Sequence, residues 1–218
     1  MKLIDLNHEI ENGMITYRGL PAPVITDFLS REASRKNYAP GTEFHIGKIE
    51  MVANTGTYVD SPFHRYENGA DLAALPLESL ANLEGALVRT MERESRAVGP
   101  EWFRAESLHG KAVLIHTGWD VHWRTERYHQ GHPYVTREAA QLLAHSEAKL
   151  VGIDSFNIDD TADGSRPAHS LLLEAGIPIV EHMCQLELLP THGFRFFAVP
   201  ARVRKFGTFP VRAFAIVD

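Results

Sequence analysis

Four polar side chains with the chemistry of catalytic or ligand groups stand at even positions of one short segment: Asn54, Tyr58, Asp60 and His64. Carboxylates and imidazoles bind metals and transfer protons, and a phenol can donate a hydrogen bond to developing negative charge. Because residues two apart face the same side of an extended chain, this spacing predicts that the four side chains converge on one cavity. An ordinary strand with a solvated polar face is the alternative, since such alternation is common in half-buried strands.

A second pair of candidate residues lies more than 100 positions downstream. His169 precedes a short leucine-rich stretch, and Glu181 ends the apolar run 177–181. Burying an unpaired carboxylate is costly, so a glutamate at the end of a buried strand needs a partner or must reach water. The hypothesis that follows is that Glu181 and His169 meet Asp60 and His64 in space.

The elements that must position these residues are mostly strands. Alternating or continuous apolar runs predict strands at 2–6, 44–53, 85–91, 112–116, 149–156, 177–183, 194–203 and 209–218. Helical periodicity follows Thr136, a plausible N-cap, over 137–148, and a short helix at 170–176 ends on Gly176. A short helical pattern also occurs in 76–88. Strands outnumber helices, which predicts one α/β domain over residues 1–218, with a mixed β-sheet core and helices on one side.

Composition narrows the class of partner. The chain has 218 residues, a formal net charge of −6, a sequence pI near 6.0 and one cysteine. With no basic run, nucleic acid and an anionic membrane are not expected as partners. No apolar stretch approaches the ~20 residues that cross a bilayer, and the N-terminal residues are unlike a secretory signal. We therefore expect a cytoplasmic protein that acts on a small molecule.

The segment 54–64 resembles the signature His-x-Gly-Thr-His-x-Asp-x-Pro-x-His of the cyclase family of metal-dependent hydrolases, which includes bacterial kynurenine formamidase. Gly56, Thr57, Asp60, Pro62 and His64 stand in register with that signature. The resemblance extends to segments 4–6, 116–119, 152–160 and both closing strands, and to the separation of His169 from Glu181. It implies a swivelling β/β/α fold and a homo-oligomer, a dimer or larger.

This chain departs from the family at two positions, where Asn54 and Tyr58 replace metal-binding histidines. An amide oxygen is a weak ligand, and a phenol binds zinc well only after losing its proton. The resemblance then implies one divalent metal, Zn²⁺ or Mn²⁺, held by Asp60, His169 and Glu181, with a metal-free site as the alternative. It also implies proton transfer by His64. Asp60 would orient His64 if no metal is present, and Glu181 is left as either a ligand or a base.

Three further residues are predicted near the substrate: Asn54 from its place in the motif, and Tyr17 and Arg18 because the family uses its N-terminal segment near the pocket. Tyr58 is predicted to act beside the reacting carbonyl. Other polar residues are not assigned to the site. His182, next to Glu181, is interpreted as a structural or surface histidine on the opposite face of the strand. The aspartates at 154, 159 and 160 are interpreted as turn formers.

Three functions remain open on these residues. The first is a metal-dependent hydrolase of a C–N bond in a small amide, formamide or lactam. The second is a metal-free lyase or cyclase that uses Asp60, His64 and Tyr58 as acid–base groups. The third is a non-catalytic protein that binds a small ligand.

Overall fold

The computed structural model describes residues 1–92 and 94–217, without the side chain of Glu106. Its strands are β1 (Lys2–Asp5), β2 (Val24–Leu29), β3 (Ile46–Glu50), β4 (Tyr58–Asp60), β5 (Leu83–Arg89), β6 (Ala97–Val98), β7 (Ala112–His116), β8 (Tyr134–Val135), β9 (Leu150–Ile153), β10 (Ile179–Glu181), β11 (Phe194–Phe197), β12 (Thr208–Pro210) and β13 (Phe214–Val217). The α-helices are α1 (Arg31–Ser34), α2 (Arg137–His145) and α3 (Pro167–Glu174). Single 3₁₀ turns occupy Arg35–Asn37, Pro62–His64, Leu77–Ser79, Pro100–Trp102, Ala105–Ser107, Trp119–His122, Glu126–His129 and Leu186–Leu188.

One mixed sheet of nine strands organises the molecule, in the order β1-β13-β11-β5-β7-β9-β10-β4-β12. The four central strands, β5, β7, β9 and β10, are parallel to one another, and the strands on both flanks pair antiparallel. Two small sheets, β2-β3 and β6-β8, stand apart from it. The predicted mixed β-sheet core is therefore confirmed.

The two longer helices cover one face of this sheet. Val113 and Ile115 of β7 pack with Leu143 of α2 and Leu172 of α3 in one buried cluster. The residues that alternate with these, such as Leu114 of β7, point to the other face of the sheet. There they pack in a second buried cluster with residues of the antiparallel flank, such as Phe196. Successive side chains of a strand point to opposite faces, so both faces of the central strands are buried and their sequences are continuously apolar. The helices therefore lie on one side of the sheet, as predicted.

Several element boundaries differ from the predictions. Thr136 caps α2 as expected, because its side chain accepts a hydrogen bond from the amide of Ala139. Helix α3 begins three residues earlier than predicted, at Pro167, since proline suits the first helical position. The helical pattern in 76–88 yields only the 3₁₀ turn Leu77–Ser79, because the chain enters β5 at Leu83.

The predicted strand 44–53 also turned out differently. It becomes β3, which pairs with β2 in an exposed ribbon and does not join the main sheet. The tail contains three strands where two were predicted, because β12 crosses to β4 before β13 pairs with β11. No helix of the described residues is long and apolar enough to cross a membrane.

A close contact between β5 and β11 gives a test of this packing. Gly85 is opposite Phe194, and a Cβ at Gly85 would overlap the buried Phe194 ring. We expect Gly85→Ala to lower the free energy of unfolding by about 1–3 kcal/mol, the usual cost of overpacking a core. Urea denaturation measures the change. Gly164→Ala is the matched control, because a Cβ at Gly164 meets no atom within 4 Å; equal stability of the two variants would contradict the packing described here.

Candidate active site

Antiparallel pairing of β4 with β10 brings the two polar segments together. The register places Glu181 opposite Tyr58 and Ile179 opposite Asp60. Strand β12, on the other side of β4, places Thr208 opposite Asp60. Residues directly opposite in an antiparallel pair share a face of the sheet, so the side chains of Tyr58, Asp60, Thr208 and Glu181 project together.

His64 reaches the same place by a different route from the one predicted. The extended chain ends at Asp60, and the 3₁₀ turn Pro62–His64 turns His64 back toward it. Thr208 donates its hydroxyl hydrogen to Asp60 Oδ1, and its oxygen lies 2.8 Å from His64 Nδ1. Because the Thr208 proton is committed to Asp60, His64 Nδ1 acts as the donor to Thr208. This tautomer leaves a free lone pair on His64 Nε2.

His169 is fixed by a carboxylate that sequence reasoning treated as a turn former. Asp159 Oδ2 lies 2.7 Å from His169 Nδ1, and Asp159 also accepts the amides of Ala168 and His169 at 2.6 and 3.1 Å. His169 Nε2 faces Asp60 Oδ2 at 3.6 Å and Glu181 Oε1 at 3.7 Å. Burial opposes a charged imidazole here, but the carboxylates of Glu181, Asp159 and Asp60 outweigh it and raise the pKa of His169.

Both oxygens of Glu181 already accept hydrogen bonds. Tyr58 donates to Oε2 at 2.7 Å, and the amide of Ile158 donates to Oε1 at 2.6 Å. Burial raises the pKa of the Glu181 carboxyl, and burial together with the charge of Glu181 raises the pKa of the Tyr58 phenol well above its usual range. Tyr58 is therefore a protonated donor rather than a phenolate.

His182 lies beneath these phenols and does not reach the surface. It is fully buried, with Nδ1 2.8 Å from the Tyr128 hydroxyl and Nε2 3.2 and 3.3 Å from the hydroxyls of Tyr17 and Tyr58. The rule of alternate faces fails because β10 ends at Glu181 and His182 has a left-handed backbone, φ +55°. Burial lowers the pKa of His182 well below its ordinary value, so the ring is neutral.

A cavity of about 330 Å³ opens above this group. It is lined by Tyr17, Leu20, Asn54, Tyr58, His64, Arg65, Asn157, Arg166, His169 and Glu181. Asn54 and Tyr17 thus border the cavity, as predicted for residues near a substrate. Arg18 does not: its guanidinium pairs with Glu126 at the surface, which directs it away.

Sequence reasoning missed several residues of this site: Asp159, His182, Thr208, Arg65, Arg166 and Asn157. The closing strand was found, but no pattern marked Thr208 as a partner of Asp60. Arg65, next to His64 in the motif, had the clearest available signal.

The donor set suits one divalent metal ion. Asp60, His64 and His169 each offer a ligand atom, and these atoms all lie within 4.8 Å of one another. Asp60 Oδ2 is buried and accepts no hydrogen bond from the described residues. Two imidazoles and a carboxylate are a common ligand set, and a carboxylate behind the imidazole, as in Asp159–His169, is typical of metal-binding histidines. Glu181, predicted as the third ligand, is not among these three residues, although its Oε1 lies 3.7 Å from His169 Nε2 and each of its oxygens accepts a hydrogen bond.

The hydrogen bond from Tyr58 to Glu181 can be tested by stability alone. Tyr58→Phe removes a donor from a buried carboxylate, so we expect the free energy of unfolding to fall by about 1–3 kcal/mol. Chemical denaturation at neutral pH measures it. Tyr38→Phe is the matched control, because Tyr38 is exposed. Identical stability of both variants would show that Tyr58 does not support Glu181.

Comparisons with known proteins agree with this geometry. The family model described as "Putative cyclase" matches residues 4–160. The kynurenine formamidase of Bacillus cereus is 26% identical over 211 residues, covering 96% of this chain and 95% of that protein. The kynurenine formamidase of Geobacillus thermodenitrificans is 28% identical over 182 residues, covering 83% of this chain and 84% of that protein.

Solved structures show the same fold. Isatin hydrolase A from Labrenzia aggregata superposes with a TM-score of 0.81 at 20% identity, covering 99% of this chain and 93% of that one. A predicted metal-dependent hydrolase from Bacillus stearothermophilus has a TM-score of 0.75 at 24% identity, covering 98% and 97%. With a family match over most of its length, the chain belongs to the cyclase family.

Proposed function

We propose that this protein hydrolyses the C–N bond of a small amide, formamide or lactam with the help of one divalent metal ion, Zn²⁺ or Mn²⁺. The observation that carries the proposal is the group of Asp60, His64 and His169 at the floor of the cavity. The matched relatives are named kynurenine formamidases, which supports a C–N hydrolase. The fold alone would not support this proposal, since one fold can host many different reactions.

Asp60, His64 and His169 would hold the ion. When bound, a divalent cation supplies Lewis acidity toward a carbonyl oxygen and lowers the pKa of water to ~7. Asp159 and Thr208 hold His169 and His64 through Nδ1, so Nε2 of each ring would be the ligand atom, and on His169 the ion would take the place of a proton. This assignment exchanges the predicted roles of His64 and Glu181, because His64 lies with the ligand atoms.

Glu181 is then the group that moves the proton. It accepts a proton from the attacking water and returns it to the leaving nitrogen as the C–N bond breaks, which yields a carboxylic acid and an amine. The Tyr58 hydroxyl holds this carboxylate at 2.7 Å. A buried carboxyl with a raised pKa suits both proton steps near neutral pH.

Only one ion fits this arrangement. At the positions of the two replaced histidines stand Asn54 and a Tyr58 whose hydrogen is donated to Glu181. A protonated phenol is a poor ligand, so a second ion lacks donors on that side. The same phenol ties the site to Tyr17 and His182 through hydroxyl contacts of 3.0 and 3.3 Å.

Formanilide provides a direct test of this reaction. We expect protein stripped with a chelator to be inactive, and to release aniline and formate after addition of Mn²⁺ or Zn²⁺, with about one ion bound per chain. His169→Ala should abolish both metal binding and turnover. His192→Ala, at an exposed position on another groove, should leave both unchanged. Turnover in the absence of metal, or full turnover by His169→Ala, would favour the metal-free lyase or cyclase.

We further propose that the protein is a homo-oligomer, assembled through the β2–β3 ribbon. Ile25 and Ile49 are paired across the ribbon, yet they are 42% and 49% exposed, and Phe28 beside them is 75% exposed. A two-stranded ribbon is marginally stable alone in water, so this apolar surface needs a cover. A second copy of the chain would supply it.

Light scattering after size exclusion tests the assembly. We expect a dimer or larger species for the unmodified chain, and a shift to monomer for the double variant Ile25→Glu with Ile49→Glu, because burying two charges without partners is costly. Val121→Glu is the control, since Val121 is equally apolar and 76% exposed elsewhere. A monomeric unmodified chain, or an unchanged mass for the double variant, contradicts the proposal.

A further inference from the structure

Two arginines line the cavity, and neither forms an ion pair with a carboxylate of the described residues. Arg65 Nε donates to the Ser170 hydroxyl at 3.3 Å, and Arg166 Nη1 donates to the Asp160 carbonyl at 3.2 Å. The arginine–carboxylate pairs found within residues 1–92 and 94–217 involve other arginines. Two cationic residues without an ion-pair partner therefore line the cavity of a chain whose net charge is −6. Hydrogen bonds from Ser165 lower the pKa of the Asp163 carboxyl, and Arg166 is near enough for its charge to lower that pKa further.

The backbone of Arg166 is held in a conformation that its residue type disfavours. Its φ is +47° and its ψ is 61°, in the left-handed region, directly before the first residue of α3. Such a conformation is unfavourable for a residue other than glycine, and conformations of this kind are concentrated at functional sites. The carbonyl of Arg166 accepts the amide of Ser170, and the guanidinium is tied back to the carbonyl of Asp160. Arg166 is thus fixed beside the opening rather than left to sample solvent.

Charge is divided across the cavity. Its floor carries the buried carboxylates of Asp60 and Glu181 with His169 between them. Its rim carries the two guanidinium groups. A substrate that has an anionic group at one end and an amide at the other would be oriented by the two guanidinium groups, which attract the anion to the rim. Guanidinium groups bind carboxylates through paired, charge-assisted hydrogen bonds.

We propose that Arg65 and Arg166 form a carboxylate-binding subsite, so that the substrate is a small amide, formamide or lactam that also carries a free carboxylate. This inference rests on the proposed hydrolase function and specifies its substrate class. The subsite determines orientation: with the carboxylate at the rim, the scissile amide is directed to the group of Asp60, His64 and His169.

Binding of simple probes tests the subsite without any turnover. Benzoate and benzamide have the same ring and differ in charge, and chelator-treated protein removes metal as a competing carboxylate ligand. We expect calorimetry to show that benzoate binds more tightly than benzamide. Arg65→Gln and Arg166→Asn should each weaken benzoate binding by about tenfold, the loss expected for one charge-assisted hydrogen bond. Asparagine is chosen because it tolerates the left-handed backbone of Arg166.

Arg137→Gln is the matched control, since Arg137 contacts the same loop through Ser165 at 3.5 Å but does not line the cavity. We expect it to bind benzoate like the unmodified chain. Circular dichroism of each variant verifies folding, and Arg166→Lys, which keeps the charge but loses the planar fork, should be intermediate. Equal benzoate affinity in the unmodified chain, Arg65→Gln and Arg166→Asn overturns the subsite.

Turnover distinguishes failure of the subsite from failure of the function. Formanilide and 2-formamidobenzoate share the same formamide and differ by one carboxylate. We expect kcat/KM to favour 2-formamidobenzoate, and this preference to fall by about tenfold in Arg65→Gln and in Arg166→Asn. Hydrolysis of both substrates with equal kcat/KM overturns the subsite and leaves the hydrolase intact. Hydrolysis of neither substrate, with benzoate binding still dependent on both arginines, refutes the proposed reaction and retains the anion site.

Discussion

Three carboxylates are buried around one imidazole, and much of the site follows from the need to compensate them. Asp60, Asp159 and Glu181 are almost completely inaccessible to solvent, and each would be costly to bury as an unpaired anion. Asp159 is compensated by the amides that begin α3 and by His169, and Glu181 by Tyr58 and the amide of Ile158. One oxygen of Asp60 accepts a hydrogen bond from Thr208; the other accepts none from the described residues and faces His169 Nε2 at 3.6 Å. Asp60 is therefore the least fully hydrogen-bonded of the three carboxylates.

Tyr58 shows how one substitution changes both the chemistry and the packing. An imidazole at this position would offer a lone pair, whereas the phenol offers a hydrogen, and Glu181 on the facing strand accepts it. The larger ring also meets Tyr17 and His182, which form a buried polar layer under the cavity. His182 is neutral in that layer because burial, and to a lesser extent the neighbouring His8, His132 and His129, lowers the pKa of its ring. The replacement is therefore accommodated by neighbours from two separate parts of the chain.

The fold class and the meeting of the two polar segments could be predicted from sequence, because both depend on regular periodicity. The alternation in 54–60 becomes a strand only at Tyr58–Asp60, which is β4, and the apolar run before Glu181 becomes β10. The errors arise where the backbone leaves regular structure. His182 and Arg166 have positive φ, which no periodicity reports for a residue other than glycine. Asp159 and Thr208 act through contacts to residues 10 and 148 positions away, and only the folded chain shows those partners.

The two imidazoles of the site differ in their exposure to solvent and in the number of contacts that hold them. His169 is enclosed by α3 and locked by Asp159, while the His64 side chain is 36% exposed and is held by a single hydroxyl on a short turn. The two rings therefore stand on different kinds of backbone, His169 on an α-helix and His64 on a short 3₁₀ turn outside the sheet. The firmly held ring and the exposed ring are thus contributed by different parts of the fold.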